Sequence, residues 1–227
     1  MVARIPNDFF KTWTPQMAYV LGYWWADGGM LRTPQSCRVT FTSKDGEHLK
    51  QIATVIGLGK VVPTTNGCYR ITIYRTSMYE DLLELGGMPN KSLIATWPAV
   101  PPEFLKPFAR GFIDGDGSLF WLRTTITTHP RIQALGTKEF LAGMKLAIEQ
   151  QTGIPMPTTF ISENIWRTTW SGMYAKCLTS WLYEDCDLYL ERKRNIALEF
   201  LRWQPKLYRK KHISSKMREL FGHLLPE

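Results

Sequence analysis

Apolar and polar positions alternate along this chain in two registers, and the same series of registers occurs twice. From Arg38 to Thr42 polar and apolar residues alternate one for one, the period of a strand with one buried face. Asp45-Gly46-Glu47-His48-Leu49 then opens a helix that the pattern carries to about Gly57. Tyr69 to Tyr74 alternates again, with Arg70 and Thr72 on one side and bulky residues on the other, and Met78-Tyr79 begins a further helix. In the second half, strand-like residues run from Leu119 to Thr128 and from Arg131 to Leu135. A helix opens at Thr137-Lys138-Glu139 and runs to about Gln151. Trp166 to Ser171 answers to Tyr69 to Tyr74, and Met173-Tyr174 to Met78-Tyr79. Arg167 follows Arg70 by 97 residues and Met173 follows Met78 by 95, the drifting offset that duplication with small insertions leaves.

Each half therefore reads helix, strand pair, helix, strand pair, helix. Pro98 to Pro102 makes the junction between an N-terminal repeat, residues 1–100, and a C-terminal repeat, residues 101–227. The predicted class is α+β, in two pseudo-symmetric repeats that each open on an apolar helix.

Those helices are the most telling segments. Leu21-Gly22-Tyr23-Trp24-Trp25-Ala26-Asp27-Gly28 and Arg110-Gly111-Phe112-Ile113-Asp114-Gly115-Asp116-Gly117 are variants of one pattern, an apolar run ending in Asp-Gly. Asp116 follows Asp27 by 89 residues. Ala18, Gly22 and Ala26 fall four apart, as do Gly111 and Gly115, so each set forms one ridge. Missing side chains on a ridge let two helices approach nearly backbone to backbone. If the helices pack in parallel, Asp27 and Asp116 converge at their exits. Two carboxylates repel and raise each other's pKa, so their pairing calls for a shared cation.

The paired pattern resembles the LAGLIDADG signature of homing endonucleases, and with the matched strands the resemblance covers nearly the whole chain. It is closest to the single-chain, two-repeat members. It implies two antiparallel sheets forming a saddle over DNA around the two central motif helices, and site-specific cleavage of both strands with two or three divalent ions, Mg²⁺ foremost. The motif acids Asp27 and Asp116 would hold the metal, with Ala26 and Gly115 beside them. The first copy departs from the consensus at Trp25, where the second has the inner acid Asp114, a position of structural role in the family. The family also places a lysine near each active site, which points to Lys91 and Lys193. Ser43 and Lys44 fall where it keeps a polar residue that organises water. The polar strand faces would read DNA through Arg38, Thr40, Thr42, Arg70, Thr72, Arg123, Thr125, Arg131, Gln133, Arg167 and Thr169, since a two-stranded ribbon fits the major groove. The partner implied is double-stranded DNA with a long, partly asymmetric target, bound by a monomer with no membrane association. Catalytically silent relatives act as RNA maturases or DNA-binding regulators. The presence of both terminal acids favours a nuclease.

Composition agrees with this picture. The 227 residues carry a formal charge of +8, which points to an acidic partner. Seven Lys or Arg, Lys210 and Lys211 among them, fall between Arg202 and Glu227 against two acids, so a basic tail is expected to contact DNA phosphates. Cys37, Cys68, Cys177 and Cys186 lack any C-x-x-C spacing and read as reduced core thiols, not a zinc site or disulfide framework. Met1 to Phe10 lacks the apolar run of a signal peptide, which places the expected location inside the cell, with the host genome.

Overall fold

The computed structural model describes residues 9–57, 60–162, 165–205 and 213–225. Its contacts divide the chain into two compact units, Met1–Gly115 and Asp116–Glu227. The sequence repeat begins near residue 101, but the second motif helix packs with the first unit for all but its last residue.

In the first unit α1 spans Pro15–Asp27. The Thr14 side chain accepts a hydrogen bond from the Met17 amide at 3.0 Å, and Pro15 occupies the first turn, where no amide donor is needed. Strands β1 (Gly28–Arg32) and β2 (Cys37–Ser43) follow, then α2 (Gly46–Ile56), β3 (Val62–Pro63), β4 (Tyr69–Ile73) and α3 (Thr76–Glu84). The strands make an antiparallel sheet in the order β1-β2-β4-β3. Val39, Phe41, Ile71 and Ile73 on one face are buried with Leu49, Ile52 and Ile56 of α2 and Met78 and Leu82 of α3. Two-period strands and an amphipathic helix thus bury one common apolar layer. The unit closes with α4 (Leu105–Asp116), apart from its last residue.

The second unit repeats the plan with β5 (Ser118–Arg123), β6 (Thr128–Gly136), α5 (Lys138–Thr152), β7 (Thr159–Ser162), β8 (Ile165–Ser171) and α6 (Met173–Tyr183). Its sheet has the matching order β5-β6-β8-β7, again antiparallel. The Thr137 side chain caps α5, and α2 and α5 both end on a left-handed glycine, Gly57 and Gly153. The α+β class and the two-repeat plan thus agree with the sequence pattern. Two boundaries move here: β5 stops at Arg123 and β6 begins at Thr128, with a turn at Thr124–Thr127 between them, closed by the Thr124 hydroxyl and the Thr127 amide.

Two helices follow the second repeat, α7 (Glu191–Arg202) and α8 (Ser215–Phe221). Part of the basic tail is docked rather than loose. Met217 and Phe221 are buried, and Lys216 Nζ donates to the Gln150 carbonyl at 2.7 Å, in the last turn of α5. Lys210 and Lys211 lie outside the described residues. All four cysteines are free, Cys37 and Cys177 buried and Cys68 and Cys186 half-buried. Burial pushes the Cys177 thiol up to about 12, which leaves it unreactive. Among the described residues no helix is long and apolar enough to cross a membrane.

Candidate active site and nucleic-acid interface

The motif helices meet through their small residues. Every residue of α1 from Met17 to Trp25 is buried. A methyl group added at Gly22 would overlap the Phe108 carbonyl oxygen, and one added at Gly111 would overlap that of Tyr19. Tyr19 and Phe108 are themselves 89 residues apart, so the two crossings are one interaction seen twice. Near the exits, a Cβ on Gly115 would collide with that of Ala26 and lie 3.6 Å from Asp27 Oδ2. The helices pack as the ridge of small residues requires. Asp27 is the last residue of α1 and Asp116 the last of α4, and both are half-buried.

Each acid is followed by a peptide carbonyl that a buried lysine holds. Lys91 Nζ donates to the Gly28 carbonyl at 2.5 Å and more weakly to that of Ala26 at 3.4 Å, and lies over the Trp24 ring. In the second unit Lys193 Nζ donates to the Gly117 carbonyl at 2.6 Å. Lys91 is 5% exposed and Lys193 3%, far below the usual exposure of lysine. A buried ammonium is costly unless hydrogen-bonded and compensated by charge. Both lysines stand beside the carbonyl that follows a motif acid, although one comes from a 3₁₀ turn, Lys91–Leu93, and the other from the first turn of α7.

Buried polar side chains in the first unit support α1. Asp114, 1% exposed, accepts the Tyr19 hydroxyl at 2.7 Å, and His48 Nε2 lies 3.0 Å from the same oxygen. The inner acid is thus bound up in packing, and Trp25, at the matching position, fills space against Trp24 and Phe108. Ser43 accepts the Tyr23 hydroxyl at 2.9 Å and the Asp45 amide at 3.1 Å. Those bonds make Ser43 a brace for α1 and α2, while its neighbour Lys44 is exposed. Burial pushes the Tyr23 hydroxyl far above its ordinary range. The Ser43 hydrogen bond opposes that shift, and the charges of Asp27, Asp45 and Asp114 add to it.

The outer face of each sheet carries three matching rows. In the first, Val62, Arg70 and Thr42 are opposite one another, then Thr72, Thr40 and Gly29, and then Arg38 with Leu31. In the second, the rows are Phe160, Arg167 and Leu135, then Thr169, Gln133 and Ser118, then Ser171, Arg131 and Phe120. Arg38, Thr40, Thr42, Arg70 and Thr72 thus share one face, and Arg131, Gln133, Arg167 and Thr169 share another. Cross-strand bonds order them: Arg70 Nε to Thr42 Oγ1 at 3.4 Å, Gln133 Nε2 to Thr169 Oγ1 at 3.3 Å, and Arg131 Nε to Ser171 Oγ at 3.0 Å.

Arg123 does not join them. Its register partner is Thr128, and alternation puts it on the side of Trp121, whose ring meets Phe200 of α7. Arg123 and Thr125 instead line an open pocket at the β5–β6 turn with Trp121 and Trp203. A strand running on to Thr128 concealed this. Ser118, Ser171, Leu135 and Phe160 share the outer face with these residues, a placement that only the pairing register reveals.

The donors present suit a hard divalent ion. Asp27 and Asp116 are half-buried carboxylates, each with a peptide oxygen beside it. Among the described residues no group of three or more His, Cys, Asp or Glu forms a complete metal cage. Mg²⁺ is commonly held by one or two carboxylates, with water and phosphate oxygens completing the shell.

No protein-family model matches the chain, and no curated protein does either. Solved structures do match. The LAGLIDADG homing endonuclease I-GzeII in complex with its DNA target superposes with a TM-score of 0.58 at 11% identity, over 94% of this chain and 97% of that one. I-DmoI in complex with DNA and Mn gives 0.56 at 15% identity, over 76% and 98%. The LAGLIDADG meganuclease I-AabMI bound to uncleaved DNA gives 0.56 at 10% identity, over 81% and 88%. The fold of this chain is that of the two-repeat LAGLIDADG homing endonucleases.

Proposed function

We propose that the protein is a site-specific DNA endonuclease that hydrolyses both strands of a duplex with divalent metal ions. The observation that carries this reading is the pair of half-buried acids, Asp27 and Asp116, each ending a glycine-packed motif helix and each followed by a lysine-held carbonyl. A merely structural helix pair has no use for two matched acids with two matched buried ammonium groups. Asp27 and Asp116 hold the ions, with the Ala26 and Gly115 carbonyls adjacent. When bound, divalent ions supply charge neutralisation and water activation for phosphodiester hydrolysis. Lys91 and Lys193 fix the peptide that follows each acid and offset negative charge that develops there.

The outer sheet faces bind the major groove. The arginines suit guanine, Gln133 and the threonines suit other base edges, and Lys210 and Lys211 add contacts to phosphate. The acids, together with the lysine pair, favour a nuclease over a silent maturase or DNA-binding regulator. The reading is tested by incubating a randomised duplex library with protein and Mg²⁺ and sequencing the cut ends. Enrichment of one extended site with 5′-phosphate and 3′-hydroxyl ends is expected, and uncut or randomly cut libraries would refute it. Ca²⁺, which accepts looser geometry than Mg²⁺, should support binding with little cutting. Efficient cleavage in Ca²⁺ or in excess chelator would count against the metal assignment.

Base readers and phosphate contacts should separate under mutation. Arg70→Ala or Arg167→Ala should cost about 1–3 kcal/mol of binding and relax preference at one base pair. Lys210→Ala with Lys211→Ala should weaken all sequences alike and flatten the salt dependence, because phosphate contacts release counterions whatever the base. Specificity profiles with salt titrations distinguish the two. A uniform loss for Arg70→Ala would remove that residue from the readout.

A further inference from the structure

The matched rows of the two sheets differ most at one end. In the first sheet the row is Val62–Arg70–Thr42, and Arg70 Nε donates to the Thr42 hydroxyl. In the second it is Phe160–Arg167–Leu135, and the Arg167 guanidinium lies 5.9 Å from the centre of the Phe160 ring. Ile165, two residues before Arg167 in β8, faces the same way. Phe160 is 45% exposed and Ile165 38%, and Leu135 is half-buried. The next row on this face is polar throughout, Thr169–Gln133–Ser118. Three apolar side chains thus neighbour one arginine at this end of the face, where solvent alone would favour polar residues; another apolar residue of the face, Phe120, lies two rows away.

We propose that Leu135, Phe160 and Ile165 select thymine through its C5 methyl group, at the position beside the base read by Arg167. The inference rests on the proposal that this face binds duplex DNA. In the major groove the thymine methyl is the one apolar feature of the base edges, and apolar side chains are its natural contact. The Arg167 guanidinium and the Phe160 ring stand side by side on this face, so the guanine and the methyl they would contact belong to neighbouring bases. The two half-sites then differ in chemistry: the second repeat reads a methyl beside its arginine, where the first presents the Thr42 hydroxyl. That difference would make the target asymmetric, although the repeats share one fold.

The test uses the full chain and the duplex it selects from a randomised library in Ca²⁺. Arg167→Ala marks the relevant half-site by the base preference it loses. Each thymine is then replaced singly by deoxyuridine, which removes only the methyl group. One thymine next to the marked base should bind about fourfold more weakly as uracil, the effect of one buried methyl-sized group. In the variant Leu135→Thr with Phe160→Val, which installs the residues of the first repeat, that penalty should shrink while penalties elsewhere remain. If the double variant melts early, Leu135→Thr alone is read by the same thymine-to-uracil ratio. No penalty near the marked base, or a penalty unchanged in the variants, would overturn the inference. Failure to select any duplex would overturn the DNA-binding reading itself, which separates the two failures.

Discussion

Asp27→Asn, or Asp116→Asn, should abolish double-strand cleavage while leaving the protein folded and bound to its target. Each residue is half-buried at the end of a packed helix, and the amide keeps the shape of the carboxylate while removing the charge that binds a hard cation. A loss of at least about 10³ in rate is expected, roughly 4 kcal/mol of transition-state stabilisation. Affinity, measured without cutting, should change by less than the base-reading arginine variants change it. Time courses on a supercoiled plasmid carrying the selected site separate nicking from double-strand cutting. Either variant cutting both strands at the normal rate would remove that acid from the active site. Lys91→Met and Lys193→Met provide a second comparison, because they remove the ammonium that holds the carbonyl next to each acid. Slower cleavage with the target preference unchanged is expected of a positioning residue.

Much of the fold was legible because strand and helix periods differ and because the chain states its plan twice. A half-buried strand such as Arg38 to Thr42 leaves an unambiguous alternation, and Arg70 and Arg167 confirm one another across the duplication. The packing of Gly22 on Phe108 and of Gly111 on Tyr19 could be anticipated from small residues four apart. What could not be read was set by tertiary pairing. Arg123 looks like a strand residue of the outer polar face, yet the turn at Thr124–Thr127 fixes a register that turns it to the other side. Ser43 is a candidate through resemblance, and that it accepts from Tyr23 and Asp45 to brace α1 and α2 could not be read from the sequence. Lys91 and Lys193 are candidates through resemblance alone, and nothing local in sequence announces that a lysine in a 3₁₀ turn and one opening a helix will make the same contact. The apolar trio around Arg167 is equally hidden, because Leu135, Phe160 and Ile165 come from three strands.

The second large effect concerns the helix crossing. Gly111→Leu places a side chain where the Tyr19 carbonyl already sits, backbone that no rotamer change can move aside. Overpacking of this kind costs about 1–3 kcal/mol, and more where rigid backbone must shift. For a chain of this size each kcal/mol lowers the melting temperature by about 2–4 °C, so a drop of several degrees is expected. Gly22→Leu should behave alike, since it meets the Phe108 carbonyl in the matching crossing. Gly222→Ala is the control: no atom lies within 4 Å of the added methyl, and its melting should scarcely move. Activity should fall further than stability in Gly111→Leu, because a lever at Gly111 displaces the α4 exit that carries Gly115 past Ala26 and ends at Asp116. Cleavage measured well below the variant's melting temperature makes the distinction. If Gly111→Leu melts and cuts like the wild type, backbone contact between the motif helices is not what holds the acids in place.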